Sequence, residues 1–439
     1  MGHAPALGVL RMTRVLLAIA LMLGVGASRP ATAGEIWHDT VFGGGPDGQA
    51  NAIVTDGARV YAGGFVATPT SSAGLVRGYD ARSGTVLWED RLETSGTQYE
   101  FHRLATDGSR LFATAIVVRQ SDAGGFAWLV RAYDARTGNL LWEDARDDGE
   151  YGEAVGVTTA NGRVFVTGAG SETGARSAFV VRAYDAATGN LLWQDFPGNS
   201  GSIDVGFDVA TSGGRVFAAG RIGNALHVAA YAQDDGGLLW THDEDRGSPH
   251  VDGLVTADGR LFVAALAGGD LLLRAFDAPT GRVLWKDREA PPSDGTGSYA
   301  IFDVGLAADA DLAVVGRRHW DGSAALVARD AATGALAWRD DDPGVTRSLQ
   351  IGGGRVFGVS GASELLARAF ALEGGRPAWS SPRDPEGSAL ALARSGSLVF
   401  VAGVAGPKAG TFHVAAFDTS TRGGVRPVVP GGRRLPITR

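Results

Sequence analysis

The 439-residue sequence contains no cysteine. This absence excludes disulfide bonds, a lipid-modified cysteine and thiol catalysis. Long hydrophobic runs are also scarce, and the clearest one extends from Val15 to Val25. No later segment is apolar enough to cross a bilayer, so we expect no transmembrane segment in the mature chain. Sustained helical periodicity is missing beyond the N-terminus, which predicts a helix content close to nil.

Several motifs that would indicate a catalytic site are absent as well. The sequence has no nucleophile elbow, zinc motif, phosphate-binding loop or dinucleotide fingerprint. The glycine runs Gly43–Gly45 and Gly352–Gly354 are followed by no predicted helix, so we interpret them as turns. The formal net charge is −8. This acidic balance disfavours nucleic acid as a partner, because phosphate binding needs a basic surface.

Both ends of the chain differ in composition from the rest. Residues 1–33 have the pattern of a secretory signal peptide, with Arg11 and Arg14 before the apolar run and small residues at Ala31–Ala33. An uncleaved anchor is the alternative, although the run is short for a span of about 20 residues. We therefore expect an exported protein, periplasmic or extracellular. Residues 422–439, rich in glycine, proline and arginine, are expected to form a disordered basic tail.

The sequence does contain one short motif that recurs eight times. Its best copies, Val130–Trp142 and Val181–Trp193, join an apolar strand, an Asp-x-x-Thr-Gly turn and a second strand that ends in tryptophan. Aspartate accepts bonds from turn amides, and glycine allows a positive φ. Such a period indicates a repeat architecture, since one unit cannot bury its own apolar face. The recurring tryptophans are Trp37, Trp88, Trp142, Trp193, Trp240, Trp285, Trp338 and Trp379.

A second hairpin precedes each motif, as at Gly162-Arg163, and gives four short strands per repeat of about 50 residues. This spacing and the glycine-rich turns are typical of a propeller blade. The predicted fold class is all-β, an eight-bladed β-propeller of four-stranded antiparallel blades over residues 34–421. The last copy stops at Asp418, and the segment around Trp37 looks like an orphan outer strand. We therefore expect the N-terminal strand to complete the last blade, which removes exposed sheet edges.

Some positions depart from the repeat. Ala232 and Ala371 replace the turn aspartate in two copies. The aspartate is therefore expected to stabilise the turn rather than to take part in chemistry. Trp128 and Trp320 fall outside the repeat register, and we expect both in inter-strand loops.

The pattern Ala-x-Asp-x-x-x-Gly-x-x-x-Trp resembles the tryptophan-docking motif of the pyrroloquinoline-quinone (PQQ)-type eight-bladed propellers. Ala132, Asp134, Gly138 and Trp142 match that motif position by position. The resemblance implies that each recurring tryptophan packs between adjacent blades and is structural. It also implies two alternative functions, because one branch of the family holds PQQ and calcium for catalysis. The other branch, which includes the periplasmic propeller of the outer-membrane barrel-assembly machine, lacks the cofactor and binds a partner protein.

The resemblance to the quinoprotein branch is incomplete. That branch uses an adjacent-cysteine disulfide and elaborated loops, and this chain has no cysteine. It also lacks the lipid-anchored cysteine expected of the barrel-assembly propeller. We expect an exported, non-catalytic monomer without a cofactor, which binds a protein or polymer partner through an acidic loop face. The alternative is a PQQ- and calcium-dependent dehydrogenase that oxidises an alcohol or sugar.

Two groups of polar residues are candidates for binding. Acidic segments such as Asp243–Asp245 and Asp340–Asp342 follow the predicted outer strands. They would either attract a basic partner to one rim or only keep that rim solvated. A second group stands near the predicted starts of the inner strands, at the mouth of the central channel, where it would bind a small molecule or ion or line a water-filled channel. This group consists of Asn51, His102, Glu153, Asp208, Asp252, Asp303 and Arg347.

Overall fold

The computed structural model describes residues 34–45, 47–69, 71–119, 125–146, 152–170, 177–198, 204–245, 247–290, 301–319, 322–361, 364–405 and 410–420. Over these ranges the chain forms 32 strands and no helix. None of the described segments is therefore a helix that could cross a membrane. The predictions for residues 1–33, Trp320 and residues 422–439 lie outside the described ranges.

The strands form eight four-stranded antiparallel sheets, each with one strand near the axis and one at the circumference. The inner strands are β2 (Gly48–Thr55), β6 (Thr97–Thr106), β10 (Glu153–Ala160), β14 (Val205–Ser212), β18 (His250–Ala257), β22 (Ile301–Ala308), β26 (Arg347–Gly352) and β30 (Ser388–Ser395). The second strands are β3 (Arg59–Ala67), β7 (Arg110–Arg119), β11 (Arg163–Gly170), β15 (Arg215–Ile222), β19 (Arg260–Ala267), β23 (Leu312–His319), β27 (Arg355–Val359) and β31 (Leu398–Val404).

The two remaining strands of each sheet complete the blade. The third strands are β4 (Ser72–Asp80), β8 (Phe126–Asp134), β12 (Ala178–Asp185), β16 (Ala225–Ala232), β20 (Asp270–Asp277), β24 (Ala324–Asp330), β28 (Ala367–Ala371) and β32 (Phe412–Asp418). The outer strands are β5 (Val86–Leu92), β9 (Leu140–Arg146), β13 (Leu191–Gly198), β17 (Leu238–Asp245), β21 (Val283–Glu289), β25 (Leu336–Asp340), β29 (Pro377–Ser380) and β1 (Glu35–Val41). The predicted all-β, eight-bladed propeller is confirmed.

Alternation of strand direction gives the propeller two distinct faces. We call one the loop face; it carries the connections from each outer strand to the next inner strand, such as 341–346, and those between second and third strands. We call the other the turn face; it carries the hairpin turns within each blade, such as 352–354 and 81–85. Side chains near the start of an inner strand therefore lie toward the loop face.

The last blade is built from both ends of the described chain. Strand β1 pairs antiparallel with β32, with Trp37 opposite Ala416 and Val41 opposite Phe412. The amide of Asp418 also donates to the carbonyl of Gly34 at 2.9 Å. This arrangement confirms the predicted closure by the N-terminal strand, and it leaves no unpaired sheet edge at the junction.

The hairpin turn of the repeated motif is held by its aspartate and glycine. In the second blade, Asp134 Oδ1 accepts a bond from the Thr137 amide at 2.8 Å, and Gly138 has a φ of 73°. This geometry confirms the predicted roles of both residues. Where Ala232 replaces aspartate, the backbone bond from Gly236 to its carbonyl persists at 3.0 Å. The turn therefore forms through its backbone hydrogen bond even without aspartate, and the aspartate side chain adds further bonds.

The recurring tryptophans lie between neighbouring blades. The Trp88 indole covers Gly138 of the next blade so closely that a Cβ there would stand 2.5 Å from Trp88 Cδ2. Seven indoles donate their N–H to a backbone carbonyl of the next blade, and Trp379 Nε1 finds no acceptor among the described residues. The pairs are Trp37 to Ala81, Trp88 to Ala135, Trp142 to Ala186, Trp193 to Gln233, Trp240 to Ala278, Trp285 to Ala331 and Trp338 to Leu372, at 2.6 to 3.2 Å.

The prediction of a loop position for Trp128 is wrong. Trp128 lies in β8, fully buried, and pairs with Ile116 of β7 and Arg146 of β9. Its ring packs against Gly168 of the next blade, and the Arg182 guanidinium stacks 4.4 Å from the ring centroid. Strand β8 extends further toward the loop face than the repeat pattern indicated. Trp128 therefore fills a space between two blades that smaller residues occupy in the other blades.

Candidate functional site

Every inner strand has a break in its pairing register near the loop face. In β18, Val251 pairs with Ala265 and Gly253 pairs with Ala264, so Asp252 is the extra residue of a bulge. Asn51 in β2 and His102 in β6 occupy the equivalent position. A bulge redirects side chains locally. The candidate residues therefore do not follow the simple alternation of a flat strand.

These bulges border a cavity of about 360 Å³ on the propeller axis. Residues from seven of the eight inner strands line it, and β10 is the exception. Polar groups lie toward the loop face, whereas aliphatic side chains such as Leu254 and Leu306 lie further along the strands. Five of the seven predicted residues are brought together here: Asn51, Asp208, Asp252, Asp303 and Arg347.

Carboxylates from three adjacent blades give the cavity its electrostatic character. Arg347 Nη1 lies 3.4 Å from Asp303 Oδ1, and the Asp303 side chain is only 6% exposed. Asp252 Oδ1 lies 3.7 Å from His250 Nε2. Burial raises the pKa of Asp252 to about 7, and Arg347 opposes this rise while Asp303 adds to it. Burial also raises the pKa of Asp303 against the pull of Arg347 and Arg318.

The remaining cavity carboxylate, Asp208, forms hydrogen bonds to two backbone amides. Its Oδ2 accepts a bond from the Leu254 amide of the next blade at 3.0 Å, and its Oδ1 accepts from the Val209 amide at 2.9 Å. Burial raises the pKa of Asp208, and Arg103 opposes the rise. Asp208 therefore joins the inner strands of two blades while its side chain borders the cavity.

Two predicted residues, His102 and Glu153, do not line the cavity. His102 Nε2 lies 3.3 Å from Glu100 Oε1, but without hydrogen-bond alignment. Asn51 Nδ2 donates to the same Glu100 oxygen at 2.9 Å. Burial raises the pKa of Glu153, and His102 opposes this rise. These residues form a separate polar group across the first three blades.

Sequence reasoning missed Arg103, His250 and Gln350, which also line the cavity. Arg103 stands directly after its bulge, in the same position as Asp208 and Asp303 in their strands. The predicted set mixed this position with the bulge position itself and, at Glu153 and Arg347, with positions before the bulge. No residue type in the sequence marks a bulge here, so the register could not be assigned from the pattern.

Among the described residues, the cavity lining offers no cluster of side chains suited to calcium. Calcium prefers six to eight oxygen ligands, yet the described residues include no group of three or more histidine, cysteine, aspartate or glutamate side chains placed to hold a metal. Arg103 and Arg347 border the carboxylates instead. The arrangement of the cavity is suited to binding, with buried acceptors beside an aliphatic wall.

Many acidic residues of the loop face hold neighbouring blades together. Asp90 accepts bonds from Arg131 Nη1 at 2.8 Å and Tyr133 Oη at 2.7 Å, both in the next blade. Asp39 accepts equivalent bonds from Arg77 and Tyr79 at 2.6 and 2.9 Å. Ion pairs also join Glu244 to Arg274 and Asp287 to Arg329. These carboxylates are engaged in the seams, so they do not form a uniform acidic rim.

One group of exposed carboxylates lies on or directly after the outer strands of the fourth, sixth and seventh blades. Exposed carboxylates also occur on the loop face of other blades, at Asp47, Glu89, Glu93 and Glu143. We call the first group the acidic sector: Asp243, Asp245, Asp341, Asp342 and Glu386. Asp243 bonds to His227 at 2.7 Å and Asp341 to Arg339 at 2.5 Å, and both carboxylates remain more than half exposed.

Four overlapping stretches of the chain, residues 24–178, 125–272, 176–302 and 269–422, match the family model described as outer membrane protein assembly factor BamB. The chain belongs to the PQQ-like propeller repeat family. No curated protein sequence matches it. Membership in the PQQ-like family fixes the architecture, whereas function depends on the sites carried by the blades.

Solved structures with the same fold include both binding proteins and enzymes. BamB of Moraxella catarrhalis is 15% identical, with a TM-score of 0.52, and the match covers 88% of this chain and 100% of that one. A quinohemoprotein alcohol dehydrogenase of Pseudomonas putida is 15% identical, with a TM-score of 0.58, covering 92% and 78%. Sqt1 of Chaetomium thermophilum, bound to the N-terminus of ribosomal protein L10, is 14% identical, with a TM-score of 0.57, covering 88% and 100%. At these identities the likeness concerns the fold alone.

Proposed function

We propose that this PQQ-like propeller is an exported, non-catalytic binding module that recruits a partner protein through the acidic sector of its loop face. The observation that carries the proposal is the group of exposed carboxylates in the acidic sector. In the first two blades, Asp90 is held by arginine and tyrosine. The exposed Glu89 and Glu143 accept bonds from arginines. In the sector, Asp245, Asp342 and Glu386 are exposed. A localised negative field favours association with a basic segment and sets its orientation.

The neighbouring cavity supports the same proposal. Asp252 lies on the inner strand of the fifth blade, between blades that carry the acidic sector, and Asp303 lies on the inner strand of the sixth blade, which carries part of it. A partner segment seated on the sector would therefore also cover the cavity mouth. A protein of the same fold also binds a terminal protein segment, since one Sqt1 structure is bound to the N-terminus of ribosomal protein L10. The family match to BamB favours a periplasmic location.

A direct binding assay tests the proposal. Fluorescently labelled hexalysine would serve as a defined basic probe, and its anisotropy would be measured at low and high salt. We expect Asp341→Lys/Asp342→Lys to weaken binding at least about fivefold, because each lost exposed attraction contributes up to about 1 kcal/mol. Binding should also weaken as salt screens the exposed charges.

A matched control separates the acidic sector from net charge. Asp311→Lys/Glu373→Lys makes the same change in total charge at two exposed positions on the turn face. This control should bind the probe nearly as well as the wild type. Equal weakening in both double variants would mean that only overall charge matters, and the sector would have no special role. Pull-down from a periplasmic extract with the same three proteins would then identify the natural partner.

A further inference from the structure

The turn face carries a ring of arginines. Six of the eight second strands begin with arginine, and the other two begin with Leu312 and Leu398. Four of these arginines have a carboxylate partner within about 3 Å, which neutralises their charge. The four pairs are Arg59 with Asp56 at 3.0 Å, Arg110 with Asp107 at 2.9 Å, Arg163 with Asp234 at 2.9 Å and Arg260 with Asp258 at 3.1 Å.

Arg355, in the seventh blade, has a second arginine beside it instead of a carboxylate. Arg355 pairs with Gly352 across the hairpin turn, and Arg394 of the eighth blade lies across that glycine. The Arg394 guanidinium stacks 3.9 Å from the Phe357 ring centroid, and its Nη2 donates to the Gly396 carbonyl at 3.3 Å. Among the described residues, neither arginine has a carboxylate partner, and Arg394 Nε is buried without an acceptor.

The local sequence explains this difference between blades. The residues paired with Arg163, Arg215 and Arg260 across their turns are alanine, serine and alanine, whereas Arg355 pairs with Gly352. A Cβ at position 352 would overlap the Arg394 guanidinium. Glycine therefore makes room for the second arginine. The turn Gly352–Gly354 also contains no aspartate that could neutralise either charge.

The paired guanidinium groups lack electrostatic compensation. Burial lowers the pKa of Arg394, and the nearby Arg355 lowers it further. Open space adjoins the pair, since nothing lies within 4 Å of a Cβ position at Gly353 or Gly354. An anion could reach both side chains from solvent and would relieve their repulsion. Guanidinium groups offer planar sets of N–H donors that match the oxygens of phosphate.

We propose that Arg355 and Arg394 form a binding site for a small phosphate-type oxyanion on the turn face, between the seventh and eighth blades. The site lies on the opposite face from the acidic sector, so it does not depend on the proposed partner binding. The Phe357 ring packs against the Arg394 guanidinium and limits its movement.

Thermal melting of the full chain tests this site. Inorganic phosphate at about 50 mM would be compared with sodium chloride at equal ionic strength, since a ligand of the native state raises the melting temperature. We expect a rise of about 2 °C for the wild type in phosphate. Arg355→Gln and Arg394→Gln should each lose this rise, and calorimetric titration should show at least about fivefold weaker phosphate binding.

Three further measurements keep a folding defect from being mistaken for lost binding. Arg215→Gln, at the same turn position in the fourth blade, should keep the full phosphate response. Gly352→Ala retains both charges but displaces Arg394, so it should reduce the response while leaving the fold intact. In chloride, Arg355→Gln should be at least as stable as the wild type, because it removes a like-charge repulsion.

Three results would overturn the proposal. One is an undiminished phosphate response in both glutamine variants. Another is a marked loss of stability for Arg355→Gln in chloride, which would reveal a carboxylate partner. The third is binding to phosphatidylglycerol vesicles without any response to free phosphate, which would assign the pair to a lipid headgroup instead.

Discussion

The glycine beneath each interblade tryptophan is the position where a single methyl group should disturb the seam most. Gly138 has a φ of 73°, and an added Cβ would stand 2.5 Å from Trp88 Cδ2 and 2.6 Å from Trp88 Cγ. Atoms in folded proteins do not approach so closely. Gly138→Ala must therefore hold alanine in a left-handed conformation and also displace the indole from the seam.

A matched glycine separates these two costs. Gly162 has a φ of 72°, and nothing lies within 4 Å of its Cβ position. Alanine in a left-handed conformation costs roughly 1–2 kcal/mol, which is the expected loss for Gly162→Ala. Overpacking adds about 1–3 kcal/mol. We therefore expect Gly138→Ala to lower the free energy of unfolding by about 2–5 kcal/mol.

Urea unfolding followed by fluorescence would measure both losses, with circular dichroism as a second probe of two-state behaviour. A double-mutant cycle adds a stricter test. In a Trp88→Ala background the indole is gone, so Gly138→Ala should cost no more than Gly162→Ala. Equal costs for the two alanines in the wild-type background would refute the argument that the indole is packed tightly on the turn glycine.

Three further predictions concern closure, the seams and the cavity. Deleting residues 35–41 should lower the melting temperature markedly because it exposes an edge of β32, whereas truncation after Thr421 should not; an unchanged melting temperature after the deletion would contradict closure. Tyr133→Phe removes an interblade bond of 2.7 Å and should cost about 1 kcal/mol in urea unfolding, whereas the surface variant Tyr99→Phe should cost little. Because burial raises the pKa of Asp252 to about 7, the native state holds a proton that the unfolded state has already released, and stability falls as pH rises from about 4 to 7. Asp252→Asn should therefore gain roughly 2 kcal/mol relative to the wild type between pH 5 and pH 8, and a constant difference across that range would contradict the raised pKa.

The fold could be predicted from the sequence because each blade repeats the same hairpin turn and tryptophan-containing strand. Asp134 and Gly138 specify one hairpin turn, and Trp142 marks the strand that follows. Each feature alone is weak evidence for a fold, but eight copies at similar spacing are compatible with few folds other than a propeller. Closure was also predictable, because a repeat that lacks its last strand at Asp418 requires the strand around Trp37.

The candidate site was less predictable because it depends on backbone irregularities. The bulges that place Asp252 and Arg103 at the axis insert one residue into each inner strand, which exchanges the faces of all side chains beyond it. A period-2 pattern cannot reveal such an insertion in a short strand. Glu153 was therefore grouped with the cavity residues although it does not line the cavity, and Arg103 was omitted.

The partners of the loop-face carboxylates could not be predicted from the sequence either. Asp90 and Asp342 both follow a recurring tryptophan by a few residues, and nothing nearby distinguishes them. Asp90 differs in its hydrogen-bond partners, which come from the next blade. Arg131 and Tyr133, about 40 residues away in sequence, donate to its carboxylate. An acidic rim inferred from composition therefore overstates the charge available to a partner.

The pairing of β1 with β32 has a consequence for biogenesis. Val41 is among the first described residues to be synthesised, and its partner Phe412 is among the last. The contact between them spans nearly the whole nascent polypeptide, so it carries the greatest chain-entropy cost of any strand pairing in the molecule. An incomplete chain would hold up to seven assembled blades and one strand without a partner, so the ring cannot close until the last strand has been synthesised.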